Sequence, residues 1–276
     1  MIDTAERVRR HYEADVGDGP RLGETLLRAL DGFDADLGAP DPFAAFDQFH
    51  VGGLAATEAF ATMLNPPRGS RVLDAGSGLG GPSRYMTRTF GCRTTGVDLS
   101  PAYVAIARLL ADLTGLSRAV RYDVGDLGDL PYADAQFDVV YTQHVMMNIH
   151  DRDHVYGECR RVLKDGGIFG FYDVLAADDH AAPYYPVPWS ETPDTSALLT
   201  EAETRASLAR AGLAPRAWRD VTEEAIAWFR QPRAAASSGP NLMAVMGPRF
   251  GPMVANLARN LAEGRLRLAM ALCAPA

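Results

Sequence analysis

The chemistry-bearing residues cluster first at Val72-Leu73-Asp74-Ala75-Gly76-Ser77-Gly78-Leu79-Gly80-Gly81. An apolar run ends on a carboxylate, a glycine-dense turn follows, and a helical pattern begins after it. That is the grammar of strand, tight loop and helix. Glycine lets backbone approach a ligand that a side chain would exclude. The helix start contributes amide donors and a partial positive end. Gly76, Gly78 and Gly81 also satisfy G-x-G-x-x-G, so a dinucleotide is the first ligand to weigh. Asp74 argues against it. A carboxylate just before the first glycine would lie near the pyrophosphate, and like charges repel.

Asp74 suits a nucleoside that carries positive charge and no phosphate. S-adenosylmethionine, with an ammonium and a sulfonium, has that character. Asp98 closes the next apolar segment, 20 positions beyond Gly78, where an acidic residue accepts hydrogen bonds from ribose hydroxyls. Leu99 follows it. The competing role for Asp98 is a helix cap, but Ser100 and Pro101 fill the cap and first-turn positions better. Val120 to Val124 reads as a third strand, and in the turn beyond it Asp126 could accept from an adenine amine while Leu127 covers the ring. A solvated turn carboxylate is the alternative, with Asp123 and Asp129 as competitors. A fourth apolar strand ends at Gln143 and His144. Ligands of open parallel sheets bind beyond the carboxyl ends of the strands, so these tips should form one rim.

On these residues the chain resembles the class I S-adenosylmethionine-dependent methyltransferases. The resemblance rests on Asp74 to Gly81, Gly96-Val97-Asp98, Gly125-Asp126-Leu127, Leu130-Pro131 with Phe137-Asp138, and Arg161-Val162-Leu163-Lys164-Asp165-Gly166-Gly167. The last is similar to an R-V-L-K-P-G-G turn, with Asp165 where proline is usual. The likeness spans about residues 70–175. It implies a Rossmann-like α/β fold, doubly wound on a seven-stranded mostly parallel sheet, whose last strand is antiparallel. It also implies S-adenosylmethionine as cofactor, held by Asp74, Gly76, Gly78, Asp98, Leu99, Asp126, Leu127 and Gln143. The small-molecule branch, with its N-terminal cap and aromatic loop, is the nearest match.

The frame around these motifs is long enough for one large domain, or one domain with a cap. Of 276 residues, 35 are acidic and 27 basic, with the surplus spread along the chain. No basic stripe interleaved with aromatics is present, so nucleic acid is not expected as a partner. The first thirty residues carry charges throughout, with no signal-peptide pattern, and no apolar run is long enough for membrane insertion. Three cysteines lack metal spacing, and the His150/His154 pair lacks the HExxH arrangement, so no metal is expected. Together these features suggest a cytoplasmic enzyme.

Strands are expected at 71–75, 93–97, 119–124, 137–142, 167–174, 215–221 and 265–273. Helices are expected near 6–14, 21–30, 54–64, 80–90, 101–115, 150–163 and 200–211, with a mostly helical insert at 223–264 before the last strand. The division is a helical N-terminal cap at 1–65 and a cofactor-binding core at 66–276, with acceptor-pocket insertions near 176–199 and 222–264. The N-terminal helices could pack on their own core or on a second subunit, which leaves a homodimer open. The loop Ala234 to Pro240 is the one short biased segment.

Segments 46–53, 184–189 and the late helical insert lie where they can close over the methyl group. Their aromatic and methionine content suits a medium-sized, partly apolar small-molecule acceptor. Phe49, Tyr185, Trp189 and Met246 are its candidate wall. His144, at the fourth strand's tip, is the first candidate base, because imidazole titrates near neutrality. His50 is the second, with Gly52 and Gly53 beside it as a hinge. Methyl transfer to N, O or C of a specialised metabolite is the reading. The alternatives are a cyclisation on the same cofactor-bound fold, a nicotinamide oxidoreductase disfavoured by Asp74, and a non-catalytic cofactor sensor.

Overall fold

The computed structural model describes residues 4–13, 41–178, 182–231 and 247–276. The helix expected at 21–30, the loop at 234–240 and Met246 lie outside them. Seven strands form one sheet: β1 (Arg71–Ala75), β2 (Arg93–Asp98), β3 (Val120–Val124), β4 (Phe137–Gln143), β5 (Leu163–Ala176), β6 (Leu213–Asp220) and β7 (Leu266–Pro275). Their order is β3-β2-β1-β4-β5-β7-β6. β1 to β5 run parallel, and β7 runs antiparallel to both its neighbours. The order reverses between β1 and β4, and a crevice opens at such a switch point beyond the strand ends.

Burial on both faces explains the apolar character of the central strands. In β1, Val72 joins a core with Phe60, Leu64, Val139, Tyr141 and Leu257, while Leu73 and Ala75 join another with Val140, Phe169 and Phe171. The first of these cores is covered by α3 (Gly53–Leu64), α8 (Thr222–Arg230) and α9 (Phe250–Ala262). The second lies under α6 (Arg152–Val162) and α7 (Glu201–Arg210). Two further helices complete the crossovers, α4 (Gly81–Phe90) after β1 and α5 (Pro101–Leu113) after β2. Ser100 caps α5, its Oγ accepting from the Tyr103 amide at 3.2 Å, and Pro101 opens the helix.

β5 starts four residues earlier than the pattern suggested. Its pairing with β4 jumps from Phe137↔Leu163 to Val139↔Ile168, so the segment between is a bulge, with Gly166 at φ +77°. The motif at Arg161–Gly167 is therefore a strand irregularity, and period alone could not place the strand start inside it. The long insert is α8 and α9 among the described residues.

The N-terminal segment reaches across the strand tips. α1 (Thr4–Glu13) is tied to α5's cap by Ser100 Oγ donating to Glu13 at 2.6 Å. His11 Nε2 lies 3.1 Å from the Pro188 carbonyl. A short turn of helix, α2 (Ala44–Asp47), sits on the start of α4. There Asp47 pairs with Arg84, both side chains essentially fully buried.

Candidate active site

One cavity of about 850 Å³ opens above the β1/β4 crevice. Its floor is built from the strand tips. Asp74 is 1 % exposed at the end of β1 and accepts from Ser83 Oγ at 2.6 Å. Burial pushes its carboxyl up to about 6, partly opposed by the Ser83 bond. The loop after it needs its glycines. Gly76 has φ +93°, and a Cβ there would run into the Val145 side chain. Gly78, at φ +52°, donates its amide to Asp98 Oδ2 at 2.8 Å. Asp98 Oδ1 accepts from the Ser100 amide at 2.9 Å. Two backbone donors thus clamp the Asp98 carboxylate at the cavity wall, although burial raises its pKa overall. Farther along, Asp126 Oδ1 accepts from the Gly128 amide at 2.8 Å, and Leu127 is buried beside it.

A buried polar chain backs the wall residues His50 and Gln143. Gln48 donates its amide to Asp41 and presents Oε1 to Thr57 Oγ at 2.6 Å and to His50 Nε2 at 2.8 Å. Thr57 in turn accepts from Gln143 Nε2 at 3.2 Å. His50 Nδ1 lies 3.2 Å from the Val51 carbonyl. The bonds fix the imidazole's position, while burial pushes its pKa down to about 4.

His144 stands next to this chain with unusual backbone. Its φ is +54°, in the left-handed region that costs a non-glycine residue on the order of 1–3 kcal/mol and clusters at functional sites. Its amide donates to the Tyr172 carbonyl at 2.7 Å. Its ring packs edge-on at 4.7 Å from Tyr172 and 5.9 Å from His50, centroid to centroid. Nε2 is buried without a hydrogen-bond partner. Burial, then His50, hold this imidazole well below the usual histidine range, so it is neutral.

The cavity wall includes Asp74, Gly76, Gly78, Asp98, Leu99, Asp126, Leu127, Gln143, His144, His50, Phe49 and Trp189. Tyr185 does not line it, because its side chain is packed against the apolar core around Trp189. Met246 lies outside the described residues. Sequence reasoning missed the turn after β4, where Val145, Met147 and Asn148 line the cavity. Asp173 holds that turn, accepting from the Met146 amide at 2.7 Å. It missed Val8 and Arg9 of α1, and Trp228, Phe229, Phe250, Val254 and Leu257 of the late insert. The apolar stripe of α9 was a readable signal, but nothing in it told a core face from a pocket face.

The residues at the tips fit S-adenosylmethionine. The carboxyl of Asp74 is a buried acid bonded to the Ser83 hydroxyl, the cradle at Gly76 excludes a side chain, and Ser77 Oγ is buried on the wall without a partner. Residues 73–171 match the family described as "Methyltransferase domain". That segment is a methyltransferase domain of the class I, S-adenosylmethionine-dependent superfamily. Methyltransferase GfsG of Streptomyces halstedii is 33% identical over 165 residues, 59% of each chain. Sterol 24-C-methyltransferase ERG6B of Gibberella zeae is 39% identical over 110 residues, 40% of this chain and 29% of its own. The chain thus spans less than two thirds of these relatives' lengths. Among solved structures, geranyl diphosphate C-methyltransferase from Streptomyces coelicolor A3(2) superposes with TM-score 0.72 at 18% identity, over 100% of this chain and 99% of that one. The [4+2]-cyclase SpnF superposes with TM-score 0.63 at 23% identity, over 94% and 96%. At these identities the likeness concerns the fold.

Proposed function

We propose that the chain transfers a methyl group from S-adenosylmethionine to an N, O or C atom of a medium-sized, partly apolar small molecule. The observation that carries this is one cavity that joins the acidic, glycine-lined strand tips to a wall of Phe49, Met147, Trp189, Trp228 and Phe250. Asp98 and Asp126 hold the nucleoside, and Asp74 faces its positive end. Bound there, the cofactor supplies a methyl group on a sulfonium leaving group. The chain's own work is alignment and exclusion of water, and alignment alone is worth roughly 7–11 kcal/mol in favourable cases. Where the acceptor atom carries a proton, the neutral His144 ring takes it, and His50, fixed by Gln48 and Thr57, keeps that ring in place. Three buried, unbridged cysteines support a reducing, cytoplasmic setting.

A screen of candidate metabolites with methyl-labelled cofactor tests the reading: one acceptor gaining one labelled methyl supports it. The likeness to SpnF favours a second reading, cyclisation on the cofactor-bound fold. A product of unchanged mass would decide for that one.

The pairing of Asp74 with the cofactor has a pH signature. Burial pushes its carboxyl up to about 6, and a cation beside it favours the ionised form. Binding below pH 6 therefore expels a proton, so affinity rises with pH and levels off above about 6. Calorimetry at pH 5 in buffers of different ionisation enthalpy should detect the released proton, and Asp74→Asn should remove it. Proton-silent binding by the wild type would exclude the pairing.

A further inference from the structure

Among the described residues the cavity presents an acceptor with no unpaired Lys or Arg side chain. Arg9 is its one Lys or Arg side chain there, and besides the strand-tip Asp74, Asp98 and Asp126 its acids are Asp47 and Asp151. Arg9 is bound by Glu6 at 2.6 Å and by Glu13 at 2.7 Å, and Asp47 is held by Arg84. The remaining wall is largely aromatic and aliphatic, interrupted by polar side chains that include His50, Gln143, His144 and Asn148. Gln143 Oε1 and His144 Nε2 are both buried without partners. An anionic group in such a site would be desolvated without a counter-charge, which is strongly unfavourable.

We infer that the acceptor is a predominantly apolar molecule, taken without phosphate, sulfate or carboxylate, with a polar group at Gln143 and His144. This rests on the methyltransferase reading. The polar group supplies what the two unpartnered atoms lack, and the aromatic wall holds the body.

The test uses the whole chain loaded with S-adenosylhomocysteine, whose neutral thioether contributes no sulfonium charge. Calorimetry first measures that complex, then its titration with two matched pairs: 2-naphthol against 2-naphthyl phosphate, and 1-hydroxypyrene against pyrene-1-sulfonate. The neutral member of at least one pair should bind at least tenfold tighter than its anion. Val254→Lys, which puts an unpaired ammonium on the wall, should narrow that preference at least threefold. Equal or tighter binding of the anions, binding of no probe, or a Val254→Lys preference like wild type would each overturn the inference. Failure of S-adenosylhomocysteine to bind is a different result, and it would sink the methyltransferase reading itself.

Discussion

His144→Gly should remain folded yet lose methyl transfer to any acceptor that must shed a proton. Turnover should fall by about 10²–10⁴, the usual contribution of a positioned acid or base. The prediction starts from the backbone. At φ +54° a side chain is strained and glycine is not, so the glycine variant should be more stable than His144→Ala by about 1 kcal/mol. Loss of activity in the more stable variant cannot then be blamed on unfolding. Cofactor affinity, measured by calorimetry, should stay close to wild type in both. The wild-type pH profile adds a second check. Burial keeps the His144 ring unprotonated below the ordinary imidazole range, so turnover should not bend near pH 6.5 as an exposed histidine would make it do. Turnover within threefold of wild type at every pH, in either variant, would remove His144 as a base.

That prediction also shows what a sequence can and cannot reveal. The position of His144 was legible because Phe137 to Gln143 is a buried apolar run, and a parallel strand must end at the ligand edge. Its left-handed backbone was not, since no local residue requires it. The conformation is imposed by Tyr172 on β5, which accepts the His144 amide and packs against the ring. The cofactor half of the site was legible for a related reason. Asp74 and Asp98 sit at the carboxyl ends of β1 and β2, and Asp126 lies two residues past β3, so strand period and turn chemistry sufficed. The acceptor half is assembled from α1, the turn after β4 and the α8–α9 insert, which are far apart in sequence. An aromatic there reads the same whether it fills the core, as Tyr185 does, or lines the cavity, as Trp228 does. The polar chain from Asp41 through Gln48 and Thr57 to Gln143 was invisible for the same reason, since it depends on docking rather than on period.

Asp98→Ala should weaken S-adenosylmethionine binding by about 100-fold or more, from charge-assisted hydrogen bonds worth about 1.5–3 kcal/mol each. The structure makes this loss larger than that of a single ligand contact. Asp98 Oδ2 and Oδ1 accept from the Gly78 and Ser100 amides, so the carboxylate both lines the cavity and pins the glycine loop to the end of β2. Removing it leaves two backbone donors without their partner and frees the loop that must approach the nucleoside. Asp98→Asn should fall between alanine and wild type. Its oxygen can satisfy one of the two amides, but its NH2 must face the other donor. The competing idea, that Asp98 serves only to begin α5, is separable because Ser100 is the residue whose Oγ caps that helix. Ser100→Ala should therefore cost stability of about 1 kcal/mol while leaving cofactor affinity within a few-fold. Calorimetry and thermal unfolding on the two variants give the decision. If Asp98→Ala lowers the melting temperature but binds the cofactor as tightly as wild type, its carboxylate is structural, and the ribose must find its acceptor elsewhere on the rim.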